Sequence, residues 1–360
     1  MNRFLLFLLV VGPFNATATL LPGFDKNEYL EVLRLAAHSV DTPWTTYKVP
    51  LPEQHQLVFR SNVVGLDNRA DIWLRNDGAV HVHLRGTTAR EISWMENFYA
   101  AQIPAQGTIK LANDYNFSYD FSDARGAAVH VGWTIGTGFL LREILPVLDS
   151  FYRTGARELL ISGHSQGGAL TFLTSAYLLR MQKIGKFPAA WKLKTYASAA
   201  PKPGNLAFAY DFERLTAGGW AFSVLHPYDW VPESPVTLQT QSDFNLTNPF
   251  RDVKPVFKKM PLFKRMALKY AFNRLTKPSR RAQKNYTRYL GKTVAGIVGE
   301  SLPGFEAPAY LPSVMYMRCG VPIILYPNDA YRNERPDPDK NVFIHHMPEA
   351  YYVLSQQLPN

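Results

Sequence analysis

The chain has 360 residues, of which 46% are hydrophobic and 19% charged. That composition excludes an intrinsically disordered protein, which has few apolar residues and a high net charge. A chain of this length buries about 75% of its unfolded surface and needs no staples, and its single cysteine, Cys319, allows no intrachain disulfide.

The net charge of +10 is concentrated in one place: residues 251–292 hold fourteen lysines and arginines against the single acid Asp252, so the remainder of the chain is slightly acidic. Residues 1–18 place Arg3 before an apolar run (4–11), then Gly12-Pro13 and the small residues Ala16-Thr17-Ala18. This is the order of a cleavable export signal, and the run is far short of the ~20 residues that span a membrane. Residues 19–360 are then read as one domain of an exported protein, secreted or periplasmic.

Apolar residues recur at helical spacing over 26–39. Strand-like runs follow at Gln56-Leu57-Val58-Phe59 and Asp71-Ile72-Trp73-Leu74, and the turn Asn76-Asp77-Gly78 leads into a third at 80–84, which reads as a hairpin. From about residue 130 helix and strand alternate: a helix through 140–148, strands at 158–162, 193–196 and 221–225, and a helix over 166–181. Such alternation predicts a mostly parallel sheet with helices on both faces, whose sites lie at the carboxyl ends of strands. Residues 246–315, with prolines at 249, 255, 261 and 278, break the rhythm and read as a basic insertion outside the sheet core. Core character returns at 321–325, and 349–358 reads as a terminal helix.

Gly163-His164-Ser165-Gln166-Gly167 stands between an apolar strand and a long helix, the context of a nucleophile elbow. The glycines permit a strained turn that lifts the Ser165 hydroxyl out of the sheet. Free N–H groups at the helix start, Gln166 first, favour an oxyanion. A serine needs a base and an acid, in chain order Ser, Asp or Glu, His. Asp229 follows the 221–225 strand in a turn-rich stretch, with Glu233 as the next acid, and His345 and His346 precede the terminal helix. Arg85-Gly86-Thr87-Thr88 ends the 80–84 strand, where the Thr87 N–H and hydroxyl can face the same oxyanion.

In these motifs the chain resembles the class 3 lipases, the fungal-type triacylglycerol lipase family that also contains plant phospholipase A1-like enzymes. Leu84-Arg85-Gly86-Thr87 with Trp94, Val129-His130-Val131-Gly132, the elbow with Gly168, Ala200-Pro201-Lys202-Pro203-Gly204-Asn205 and His226-Pro227-Tyr228-Asp229-Trp230-Val231-Pro232 are similar to its signatures and in the same order. Plant-type members place a Glu three and a Tyr five residues after the histidine, a spacing that His346 meets with Glu349 and Tyr351 and His345 does not. The resemblance therefore implies an α/β-hydrolase fold, a triad of Ser165, Asp229 and His346, and an oxyanion hole from Thr87 and Gln166. Departures are Leu84 in place of an aromatic, the absence of disulfides, and the long stretch between Asp229 and His346.

The substrate class implied is a lipid carboxylic ester, cleaved by a triacylglycerol lipase-like or phospholipase A1-type activity through an acyl-enzyme. No metal or organic cofactor is expected, because His-Glu-x-x-His spacing is absent and one cysteine builds no thiolate cluster. The apolar, aromatic stretch 92–99 reads as a mobile lid or as a buried helix. The basic insertion, with Phe263, Met266 and Tyr270 among its lysines, reads as a contact with an anionic membrane or lipid-droplet surface, or as a solvated cap. Nucleic acid is not expected as a partner, for want of a recognition motif. Two other classes remain open: a non-catalytic binding protein on the hydrolase fold, and an acyltransferase using the same acyl-enzyme.

Overall fold

The computed structural model describes residues 20–39, 48–337 and 341–359; the leader-like residues 1–18 lie outside them. Helix α1 (Lys26–His38) is capped by Asp25, whose carboxylate accepts the N–H groups of Asn27 and Glu28. Strands β1 (His55–Arg60), β2 (Ala70–Arg75) and β3 (Val80–Leu84) follow, then helix α2 (Glu91–Phe98) and four strands β4 (Gln102–Pro104), β5 (Gln106–Ala112), β6 (Tyr115–Asp120) and β7 (Ala128–His130). Helix and strand then alternate through α3 (Val131–Arg153), β8 (Glu158–His164), α4 (Gln166–Lys183), β9 (Lys192–Ser198), α5 (Leu206–Leu215) and β10 (Ala221–Leu225). The remainder comprises α6 (Lys254–Lys258), α7 (Leu262–Thr287), α8 (Val294–Ser301), β11 (Val321–Ile324), α9 (Asp329–Glu334) and α10 (Pro348–Gln356).

Seven strands form the central sheet in the order β1-β2-β3-β8-β9-β10-β11. The β1–β2 and β2–β3 pairs are antiparallel and the other four parallel. Parallel neighbours need a crossover, which the intervening helices supply. Successive side chains point to opposite faces. Val80, Val82, Leu159 and Ile161 accordingly enter the core with α3 and α4, while Leu160, Tyr196 and Val224 pack with α1 and α10. Burial on both faces explains why β8 reads as a continuous apolar run. This is the α/β-hydrolase architecture.

Four readings need correction. Residues 102–130 hold two small antiparallel sheets, β4–β7 and β5–β6, that the strand reading passed over. The helix through 140–148 starts at Val131, because His130 Nδ1 accepts the Trp133 N–H and caps it there. The 321–325 stretch is core only in part: β11 is the outer strand, pairing with β10 alone among the described residues, and Val321 is 46% exposed, while Leu325 is buried. The basic segment is divided: along α7 only Thr276 and Gln283 are buried, but beyond a π-helical turn (Arg288–Thr293) Val294, Ala295 and Val298 of α8 pack into the main core.

Candidate active site

β8 delivers the chain into Ser165, which has φ 61° and ψ −131° and is the N-cap of α4. Such a conformation is strained for a residue with a Cβ and is held by its surroundings. The Ser165 N–H donates to Ser198 O on β9 at 2.9 Å. The glycines around it are required by close approach rather than by turn shape alone. A Cβ on Gly163 would stand 2.3 Å from the Gly167 carbonyl carbon, and one on Gly167 would stand 2.2 Å from Leu84 O of β3. Gly86 is likewise pressed on the elbow, its Cβ position 2.8 Å from His164 O. The 85–88 turn and the elbow thus touch without side chains between them, and first-turn N–H groups of α4 have no helical partners.

His346 Nε2 lies 2.8 Å from Ser165 Oγ, and His346 Nδ1 lies 2.8 Å from Asp229 Oδ2. Asp229 follows β10, its Oδ1 accepts the Val231 N–H at 2.9 Å, and its Oδ2 also accepts the Tyr351 hydroxyl at 2.7 Å. Burial works to raise the Asp229 carboxyl. The charge and hydrogen bond of His346, with those of Val231 and Tyr351, outweigh it and carry the group below its ordinary value. His345 turns the other way, with Nδ1 2.9 Å from the Tyr331 hydroxyl and Nε2 3.1 Å from Asp337. Glu233 sits exposed on a short helical turn (Val231–Glu233) and makes no contact with His346.

Thr87 and Gln166 meet beside Ser165: the Thr87 hydroxyl donates to Gln166 Oε1 at 3.0 Å and accepts from Asn97 Nδ2 at 2.9 Å. Its proton is engaged there, so the Thr87 hydroxyl braces the Gln166 side chain. Of the histidines in the motifs, His130 caps α3 and stacks on Trp133 at 3.7 Å. His164 bonds Ser198 Oγ at 2.9 Å and His346 O at 2.7 Å. Burial keeps both neutral, at about 3. The supporting groups are Tyr351, which motif spacing marked without giving it a contact, and Ser198, which it did not mark.

A cavity of about 330 Å³ opens over Ser165 and His346, lined in part by Trp94, Phe98, Trp230 and Phe343. Trp94 stacks on Phe98 at 6.4 Å and meets Phe343 edge-on at 6.2 Å. Their helix, α2, is anchored on its other side: Glu96 is buried, and Trp133 Nε1–H donates to Asn97 Oδ1 at 3.0 Å. Among the described residues no group of three His, Cys, Asp or Glu is arranged to hold a metal ion.

Residues 81–239 match the family model of lipase (class 3). Over this segment the chain is similar to the class 3 lipase family. Among solved structures, the Lip2 lipase of Yarrowia lipolytica is similar at 19% identity and a TM-score of 0.45, over 61% of this chain and 77% of that one. A fungal lipase in complex with an inhibitor is similar at 18% identity and 0.43, over 59% and 74%. The Rhizomucor miehei lipase propeptide complex gives 18% and 0.42, over 58% and 63%. No curated protein matches the chain. The matched segment takes in the 85–88 turn, the elbow and Asp229, and ends before His346.

Proposed function

We propose that this lipase-like serine ester hydrolase cleaves lipid carboxylic esters with Ser165 as nucleophile, His346 as base and Asp229 as its orienting acid. The observation that carries the reading is the series Asp229, His346, Ser165, joined by two 2.8 Å hydrogen bonds, with Ser165 and His346 lining the cavity. His346 Nε2 takes the Ser165 proton as Oγ bonds the ester carbon. The resulting oxyanion is met by the N–H groups of Gln166 and Thr87 at the start of α4 and the end of β3. Collapse breaks the bond to the alcohol oxygen, which leaves with the proton from His346. Water, deprotonated by the same Nε2, then releases the acid and restores Ser165.

Substrates are acylglycerols or glycerophospholipids, with acyl chains against the aromatic wall. We read α7 as the part that meets an anionic lipid surface. It carries most of the basic segment's charge, and Phe263 is 85%, Tyr270 68% and Leu275 78% exposed between those charges. Residues 1–18 are read as an export signal, which places the enzyme outside the cytoplasm.

The test is hydrolysis of p-nitrophenyl esters from short to long acyl chains by the native chain and by Ser165→Ala. The expected result is cleavage by the native chain and background rates for the variant. Equal inactivity of both on every ester would overturn the catalytic reading in favour of a binding protein. Product analysis with a competing alcohol separates hydrolysis from acyl transfer.

A further inference from the structure

A row of buried polar side chains crosses the α1 face of the sheet, and none of the steps above uses it. Glu31 Oε2 on α1 lies 3.0 Å from His55 Nδ1 on β1, and His55 Nε2 lies 3.0 Å from His81 Nδ1 on β3. His81 Nε2 lies 2.6 Å from Ser162 Oγ on β8, which lies 2.9 Å from His83 Nδ1. Strand alternation turns His81 and His83 to this face, while Val80, Val82 and Leu84 enter the opposite core. Burying three imidazoles costs free energy that apolar side chains would not, unless every polar atom is partnered.

The row ends in the cavity. His83 is only 1% exposed and lines the same space as Ser165. Its Nδ1 is taken by Ser162, and its Nε2 has no hydrogen-bond partner among the described residues. Burial is the main reason that its imidazole is held down, at about 4, and so stays uncharged at neutral pH. The cavity straddles the carboxyl edge of the sheet. Trp94, Phe98 and Leu290 line it from the side of α2 and the π-helical turn, and Ala36 and Ala37 of α1 line it beside His83. The departing alcohol takes its proton from His346. An acyl chain offers His83 Nε2 no partner, whereas the alcohol part of an ester held in the same cavity carries hydroxyls that can pair with it.

The geometry points to an alcohol subsite in which His83 Nε2 hydrogen-bonds a free hydroxyl on the alcohol part of the ester, selecting esters of polyols that keep an unesterified hydroxyl. This rests on the ester-hydrolase reading and narrows its substrate. A hydroxyl both donates and accepts, so it satisfies Nε2 whichever way the protons run along the row. An alkyl group leaves the nitrogen unpaired. A phosphodiester headgroup would bring an anion into a cavity lined, among the described residues, by no lysine or arginine.

The experiment is inhibition of p-nitrophenyl ester hydrolysis by two non-hydrolysable ethers of one alkyl chain, the 1-O-alkylglycerol and the alkyl methyl ether, in neutral detergent micelles. The native chain is expected to bind the glycerol ether about two- to tenfold more tightly, the worth of one hydrogen bond. His83→Phe is expected to erase that ratio and His83→Gln, which keeps a donor and an acceptor, to restore part of it. Equal inhibition constants in the native chain overturn the subsite, as does a ratio that His83→Phe leaves unchanged. A native chain that cleaves esters yet treats the ethers alike overturns the subsite alone. One that cleaves no ester overturns the hydrolase reading and the subsite together.

Discussion

Removing the Tyr351 hydroxyl tests how the acid beside His346 is held. Tyr351 is fully buried, donates to Asp229 Oδ2 at 2.7 Å and accepts the His226 N–H at 3.2 Å. A hydrogen bond to a charged group contributes about 1.5–3 kcal/mol, and a stranded buried N–H costs about 1–3 kcal/mol. Tyr351→Phe keeps the ring and loses both, so a stability loss of about 3–5 kcal/mol is expected at neutral pH. The two parts separate with pH. Asp229 has a depressed folded-state pKa, so its contribution is present above the ordinary carboxylate value and is lost as pH falls through the lowered one. The carboxylate part of the deficit should therefore shrink in acid, while the amide part stays. Urea unfolding of the native chain, Tyr351→Phe, Asp229→Asn and the double variant at neutral pH closes a cycle with an expected coupling of about 1.5–3 kcal/mol. A coupling below about 0.5 kcal/mol, the usual scatter between independent sites, would refute the reasoning, as would a deficit unchanged between neutral and acidic pH.

Gly167→Ala places a Cβ 2.2 Å from Leu84 O and must push α4 away from β3, carrying Ser165 off its partners. A shift of ~1 Å costs about 100-fold in kcat, read on a soluble ester with circular dichroism as the check on folding; a loss within threefold would contradict this. His345→Gln removes the bond to Tyr331 and should cost about 1 kcal/mol of stability with little change in kcat. A loss on the scale of a missing base would make His345 the base instead. Reversing Lys264, Arg265 and Lys269 to Glu should weaken sedimentation with anionic vesicles by at least about 1 kcal/mol per site, in a salt-dependent way. Hydrolysis of a soluble ester without vesicles should be unaffected, and unchanged vesicle binding would rule out α7 as the contact.

The parts of the site that were legible in the sequence are those where backbone must meet backbone. Gly163 and Gly167 stand where any side chain collides, so the elbow reads directly from the motif. The choice of His346 over His345 rested on spacing to Tyr351, and the structure supplies a physical content for it: Tyr351 reaches the same Asp229 oxygen as His346 Nδ1. Elements defined by what covers them were not legible. Apolar content at 321–324 does not distinguish an outer strand from a central one. The alternation of Ile109 and Leu111 against Phe117 and Tyr119 was present in the chain, yet β4 and β7 are too short to carry a period. His81 and His83 read only as hairpin residues, because their partners come from α1, β1 and β8.

The segment that matches the class 3 lipases runs from 81 to 239, but much of what holds the site together comes from outside it. The His346 carbonyl can only accept, so His164 Nε2 donates to it, and His164 Nδ1 must then accept the Ser198 hydroxyl. That hydroxyl oxygen in turn accepts from Tyr29 of α1, 2.6 Å away. Burial keeps His164 uncharged, so the direction of this row does not reverse near neutral pH. The proposed base is therefore held at two levels: its ring by Asp229, which Tyr351 of α10 braces, and its backbone by a row rooted in α1. The second polar row, through Glu31, starts on the same helix two residues away and ends at His83. Helices α1 and α10 pack together beneath this face of the sheet, so the N- and C-terminal segments make one support for it. A matched segment that stopped at residue 239 would keep the proposed nucleophile and acid, and would lack both the proposed base and the helices that aim it.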